Sequence, residues 1–404
     1  MGHKKIKITE LYVYPIKSLR PLSVPAAQLR REGLRHDRRF MLLKVEAGAG
    51  GTRYYKNIQT AFFPECTLFH QALDGDHVVV TYRVPEKPLV DPPPPEQRTS
   101  LRVPLNPCVD GSEVVDVELF GSSAVAHRMG DPYDAWFSAC LGYEAVLVYI
   151  GDNRRPVLAH SPKPELQQQQ QQQQRSNSWF SSIASFIPLP YYQQQQQQQQ
   201  PQAKHEPPGL TFNEAAPFLL TSKASLRDVS ARLPEGETMD MIKFRPNIVV
   251  DVVSDDDSSS DADDDDEGEE EGPTTLEAWD EDYWAELLVR GAHRLALTAN
   301  CARCISINID YGTGRPAQGG LGSVLKKLMR DRRVDAGNRW SPIFGRYAFL
   351  LPPPPPPAPA PLTSDRAENT SEEGELLLAA DVAVGDEVKV TRRIAERDVW
   401  AWPK

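Results

Sequence analysis

The sequence predicts an α+β fold, predominantly β and barrel-like, and three observations carry that prediction. Short segments of alternating apolar and polar residues recur along the chain, which is the period of strands with one buried face. Clear helical spacing is confined to a few stretches. No regular strand–helix–strand alternation runs through it, as a doubly wound parallel sheet would require. At 404 residues the chain exceeds one average domain of roughly 150 residues.

Taken in order, strands are expected over residues 6–13, 40–45, 77–83, 114–120 and 145–150. The clearest helix covers 131–141, opened by Asp131-Pro132, with Trp136, Phe137, Cys140 and Leu141 on one face. Further on, 224–232 reads as a helix and 247–253 as a strand. A short helix or turn is expected at 279–288, strands at 294–297 and 305–309, and a helix at 321–330. Residues 381–390 carry VGDEV, a turn between two strands.

Several tracts interrupt this pattern: a proline-rich stretch at 85–95, eight-residue glutamine runs at 167–174 and 193–200, an acidic run at 255–271, and prolines over 352–361. Their compositions bury too little apolar surface to offset chain entropy, so all read as disordered surface insertions. Trp179, Phe180, Phe186 and Ile187, between the glutamine runs, are apolar enough to dock on another surface. The net charge of −11 is misleading, because the acidic run alone holds twelve Asp and Glu and leaves the rest at +1. A nearly neutral body predicts no nucleic-acid surface. No stretch approaches the roughly 18 apolar residues of a membrane span. Five scattered cysteines exclude a disulfide scaffold and point to free thiols in a reducing compartment.

The sharpest chemical feature is Cys301-Ala302-Arg303-Cys304. As half a zinc site it lacks a second pair of ligands. As a redox pair it lacks a following helix to lower a thiol pKa. The readings left are two inert buried cysteines, or a thiolate beside Arg303 able to ligate a soft metal. A second feature is cations in apolar or turn contexts: Lys17 before Ser18, Arg38, and Arg245 close to Asn247. If these converge they require an anion, since unpaired buried cations cost several kcal/mol each, and a phosphorylated cofactor would suit. No nucleophile elbow, Walker loop or dinucleotide fingerprint is present. Asp280, Glu281 and Asp282 read as acids complementing a helix start.

Read in order, LYVYPIKSL (11–19), GLRHDRRFML (33–42), DPYDAWFSACLG (131–142), FNEAAPFLLTSKASL (212–226), KFRPNIVVD (243–251), DEDYWAELLVRG (280–291), NCARCISINIDYGTG (300–314), SPIFGRYAFL (341–350) and VGDEVKV (384–390) resemble the two-domain MOSC proteins, the group of the mitochondrial amidoxime-reducing component. The resemblance implies an N-terminal β-barrel domain over 4–155, an insertion over 156–208, and a MOSC domain over 209–396 interrupted at 254–273 and 352–375. It implies a molybdenum–molybdopterin cofactor between the domains, with Cys304 as the metal's protein ligand and catalytic residue. Lys17, Ser18, Arg38, Arg245, Asn247, Ala302, Arg303 and Tyr347 would grip the pterin and its phosphate. So would Glu214, Ala215 and Ala216, which stand where the animal members carry Asp-Thr-Ser, while Ala302 replaces a Ser. The implied reaction is reduction of small N-hydroxylated substrates, fed by cytochrome b5 and its NADH-dependent reductase. The other implied possibility is a non-catalytic molybdopterin or sulfur carrier akin to the C-terminal part of molybdenum-cofactor sulfurase, a group whose family-level descriptions include pyridoxal phosphate binding. The animal proteins carry an N-terminal membrane anchor whereas this chain opens on a strand, so the cytoplasm is expected over the mitochondrial outer membrane.

Overall fold

A computed structural model describes residues 4–162, 209–254, 275–352 and 380–402. Both glutamine runs, the acidic run and nearly all of the last proline tract lie outside the described residues, as do Trp179, Phe180, Phe186 and Ile187. The molecule is mostly strands, as predicted.

The larger sheet has eight strands in the order Leu22–Ser23, Lys4–Val13, Ile248–Ser254, Phe218–Ser222, Ile343–Leu350, His293–Ala302, Trp284–Val289, Val388–Arg393. It curls back on itself. Lys7 bridges Glu387, and Ile8 exchanges backbone hydrogen bonds with Asp386 and Gly385 at 2.9 and 2.8 Å. Closure of this kind removes most of the exposed edge. Its interior holds Leu11, Phe218, Leu220, Ile248, Trp284, Leu287 and Leu297, so the alternating residues face one shared core. The other lobe pairs a five-stranded sheet, Val114–Leu119, Ser122–Arg128, Ala145–Tyr149, Phe40–Ala47, Arg53–Asn57, with a three-stranded one, Phe69–Asp74, His77–Tyr82, Ser100–Pro104. The helix Tyr133–Leu141 packs between them, where Trp136 and Phe137 meet Phe69 edge-on or tilted at 5.8 and 5.4 Å.

Four local expectations are corrected. Residues 85–95 are not an unpacked insertion: Leu89 packs on the first lobe's core, and Val90 lies so close to Gly142 that a Cβ there would come within 2.8 Å of it. Gly142 also needs its left-handed φ of 77° to end the helix. The stretch 279–288 is a 3-10 turn only over Asp280–Tyr283 and then a strand, because Trp284, Ala285, Leu287 and Val289 are all buried in the barrel. Residues 305–309 form a 3-10 turn, Ile305–Asn308, not a strand. Asn308 fixes that turn by donating to Gly322 O at 2.8 Å and accepting from Leu325 N at 3.0 Å. Finally, one strand–helix–strand unit exists: Phe218–Ser222 runs parallel to Ile248–Ser254, and the helix Lys223–Ala231 between them is capped by the Ser222 hydroxyl.

One feature of the topology bears directly on the site. The first strand belongs to the large barrel, and so do Leu22, Leu29 and Leu34, whereas Ile16 and Leu19 between them pack in the core of the other lobe. The chain therefore crosses between lobes at Tyr14-Pro15-Ile16, pinned by Tyr14 N donating to Asp37 Oδ1 at 2.8 Å and by an Ile16–Phe40 bridge. Lys17 and Ser18 follow at once.

Candidate functional site: a cationic cleft with a free thiol

A cleft opens where the lobes meet. Lys17, Ser18 and Arg38 line one wall; Glu214, Ala216, Arg245, Asn247, Ala302, Arg303, Cys304 and Tyr347 line the rest. The structure thus brings together every residue singled out from the sequence except Ala215. That residue is a correction: it is not on the lining and packs into an apolar cluster with Ala299, Cys301 and Phe349.

Three of these residues are non-glycines in the left-handed region: Ser18 at φ 74°, Arg38 at 52° and Arg245 at 56°. Such conformations cost of order 1–3 kcal/mol each and cluster where a fold positions function. The cations rest on one ring. Tyr14 is wholly buried, with the Arg38 and Arg245 guanidinium groups 4.5 and 4.4 Å from its ring centre. Arg38 donates to Asp37 Oδ2 at 2.5 Å, Asn247 Oδ1 at 3.3 Å and Arg245 O at 3.2 Å. Asn247 is itself spent on the backbone, accepting from Leu219 N and donating to Tyr12 O. It acts as the tie between Arg38 and two barrel strands.

The remaining cations differ in how much hydrogen-bonding capacity they have left. Arg245 donates from Nη1 to Leu19 O at 3.0 Å, and its guanidinium also meets the buried Tyr311 hydroxyl. Lys17 donates to Phe212 O at 2.8 Å; burial pushes its ammonium down to about 7, with Glu214 acting in the opposite sense. Arg303 is different. Its Nε and Nη2 donate to Phe344 O at 2.9 and 2.5 Å and its Nη1 to Phe244 O at 2.6 Å, beneath the stacked Phe244 and Phe344 rings, 3.8 Å apart. Although it lines the cleft, its side chain staples two backbone segments together.

Glu214 is the one carboxylate on the cleft wall among the described residues. It accepts from Tyr347 Oη at 2.9 Å. Burial among protein atoms pushes its carboxyl up, but Lys17, the Tyr347 hydroxyl, Arg38 and Arg303 outweigh this and hold it below the ordinary carboxylate range. With Lys17, Arg38, Lys243, Arg245 and Arg303 also on its wall, the cleft keeps an excess of positive charge. That is the condition of an anion site.

The two cysteines separate cleanly. Cys301 is buried under Tyr347, and burial pushes its thiol up to about 11. Cys304 sits at the end of the strand His293–Ala302, exposed in the cleft, its Sγ 3.2 Å from Ser306 Oγ. The inert-pair reading therefore fits Cys301 and not Cys304. Sequence reasoning missed Gln59, Thr60, Ala61, Asn213, Leu219, Lys243, Phe244 and Ser306 on the wall; the last five lie within a few positions of residues already chosen, whereas nothing in the sequence marked residues 59–61. It also missed Tyr14 as the platform, though an aromatic three residues before Lys17 was legible. Asp280, Glu281 and Asp282 do not line the cleft; they bind Arg393, two serine hydroxyls, and Arg332 with Arg397.

Comparison with known proteins agrees with this architecture. The MOSC N-terminal beta barrel domain matches residues 5–144 and the MOSC domain residues 207–389. Mitochondrial amidoxime-reducing component 1 of Danio rerio is 24% identical over 351 residues, covering 84% of this chain and 79% of that protein. The Homo sapiens protein of the same name is 23% identical, covering 86% and 79%. Molybdenum cofactor sulfurase of Aspergillus fumigatus is 23% identical over 85% of this chain, but the match spans 37% of that longer protein. With both domains matched in order along one chain, and a cleft between them lined from each, the protein belongs to the two-domain MOSC family.

Proposed function

We propose that this protein is a molybdenum-cofactor-dependent oxidoreductase that removes oxygen from N-hydroxylated compounds such as amidoximes and hydroxylamines. The observation that carries the reading is a single exposed thiol, Cys304, facing a cleft with surplus cations. Among the described residues no three His, Cys, Asp or Glu side chains gather as a metal cage, so a metal here would take Cys304 as ligand and its other donors from an organic group. The residues fit an anionic pterin through the cations gathered on the cleft wall: Arg245 and Lys17 would meet its phosphate, and Arg38 and Asn247 would hold the wall behind it. Once bound, that cofactor supplies the two-electron chemistry. The balance is R–NHOH plus two electrons and two protons giving R–NH2 and water, with the electrons from a separate donor, which we take to be cytochrome b5 and its NADH-dependent reductase. The chain's own part is to hold the cofactor in one orientation and leave the Cys304 side of the cleft open to substrate.

The test is to purify the full chain, measure molybdenum and pterin, and assay benzamidoxime reduction with a chemical reductant, comparing wild type with Cys304→Ser. Bound molybdenum and turnover, both lost in the variant, are expected; turnover indifferent to the substitution would remove Cys304 from the reading. The sulfurase match supports a second reading, a carrier of molybdopterin or sulfur, which metal binding without turnover would favour. We further propose a cytoplasmic location. No described helix is long and apolar enough to cross a membrane, and fractionation of the tagged protein tests the cytoplasm against the mitochondrial outer membrane.

A further inference from the structure

A second cleft shares the segment 36–39 with the first: Arg38 lines the cofactor cleft, while His36, Asp37 and Arg39 line this one. Three of its charges are already matched, since Arg154 pairs with Glu32 at 3.0 Å and Asp37 with Arg38. What remains is Arg30, Arg35 and Arg39 against one carboxylate, Asp152, an excess of two positive charges.

Those three arginines are not equivalent. Arg39 is anchored: its Nη2 donates to Tyr149 Oη at 2.8 Å and Gly151 O at 2.7 Å, and its guanidinium lies 5.2 Å from the Tyr149 ring centre. Its Nε and Nη1 are left unspent. Arg35 makes one hydrogen bond, to Gln28 Oε1 at 3.1 Å, and half-buried Arg30 has no partner among the described residues. His36 sits among them with a left-handed φ of 69°. Burial, then Arg35, Arg30 and Arg39, push its imidazole down to about 4, which registers the positive field in the cleft.

We propose that this cleft binds a phosphorylated small molecule, with the phosphoryl group held by Arg30, Arg35 and Arg39. Guanidinium forks match a tetrahedral oxyanion, and an anchored arginine loses little freedom on binding. A phosphoryl dianion neutralises the excess of two charges where a single carboxylate would leave one. The inference does not depend on the proposed reaction.

The experiment titrates the full chain calorimetrically with pyrophosphate at low ionic strength and follows the His36 imidazole by NMR in the same samples. Binding at one site is expected, weakened about tenfold by Arg30→Gln or Arg39→Gln through loss of one charge-assisted contact, and His36 should titrate at higher pH once the probe neutralises its neighbours. Adenosine monophosphate provides a second arm: tighter binding than pyrophosphate, again with the His36 shift, assigns a nucleotide, and comparable binding assigns the phosphoryl group alone. An unmoved His36, or affinity unchanged in both variants, overturns the proposal and assigns the probe to the cofactor cleft.

Discussion

Replacing Arg303 by lysine separates a structural cation from a ligand-facing one. Arg303 makes three hydrogen bonds to two backbone carbonyls, Phe344 O and Phe244 O, from a position only 8% exposed. Lysine keeps the charge but not the fork, so it reaches one carbonyl and leaves the other unsatisfied. Two charge-assisted bonds are lost at about 1.5–3 kcal/mol each, giving a destabilisation of roughly 3 kcal/mol at the low end. For a unit of 150–250 residues this is a fall in Tm of roughly 6–12 °C. Arg245→Lys is the control, since that side chain makes a single backbone hydrogen bond, to Leu19 O; it should cost about 1 kcal/mol or less in the cofactor-free protein. Scanning calorimetry of both cofactor-free variants decides. If Arg303→Lys melts within about 2 °C of wild type, or falls no further than Arg245→Lys, the assignment of Arg303 to backbone stapling is wrong.

Other outcomes follow from the same geometry. At neutral pH, iodoacetamide followed by peptide mass spectrometry should label exposed Cys304 and Cys108 and spare buried Cys66, Cys140 and Cys301; rapid labelling of Cys301 would contradict a thiol pushed up to about 11. Lys17, held near 7 in the folded protein by burial against about 10.4 unfolded, binds fewer protons folded than unfolded across that interval, so stability should rise with pH between those values. Urea denaturation should show wild type gaining stability relative to Lys17→Met from pH 7 to 10, and a constant difference would refute a lysine whose proton is displaced by burial. Glu214→Gln removes the charge that raises the Lys17 pKa, so the Lys17 amine should titrate still lower, read by NMR of the cofactor-free protein.

Much of the fold was legible because burial left a period in the chain. Val114–Leu119 and His77–Tyr82 alternate cleanly since each has one face on a core. Legibility failed where that simple relation failed. Trp284-Ala285 are adjacent and both buried inside the barrel, which blurs alternation into something resembling a helix. Ile305-Ser306-Ile307 alternates as a strand would, yet the long-range hold of Asn308 on Gly322 and Leu325 turns it. The cleft was legible as isolated cations in apolar settings, since such residues need a shared reason to be there. How each is used was not: nothing local distinguishes Arg303, spent on two carbonyls, from Arg245, which makes a single backbone hydrogen bond.

The route of the chain through Tyr14 has a practical consequence for anyone dividing this protein. Residues 4–13 are a stave of the large barrel, hydrogen-bonded along most of their length to Ile248–Ser254, and Ala26–Arg30 pairs with Ala380–Ala383. A fragment beginning at residue 209 would lack both, leaving Ile248–Ser254 with a bare margin and Leu11 and Val13 missing from its interior. The lobes are thus laced together by the backbone, and a split or swapped version has to carry the opening thirty residues along with the closing half.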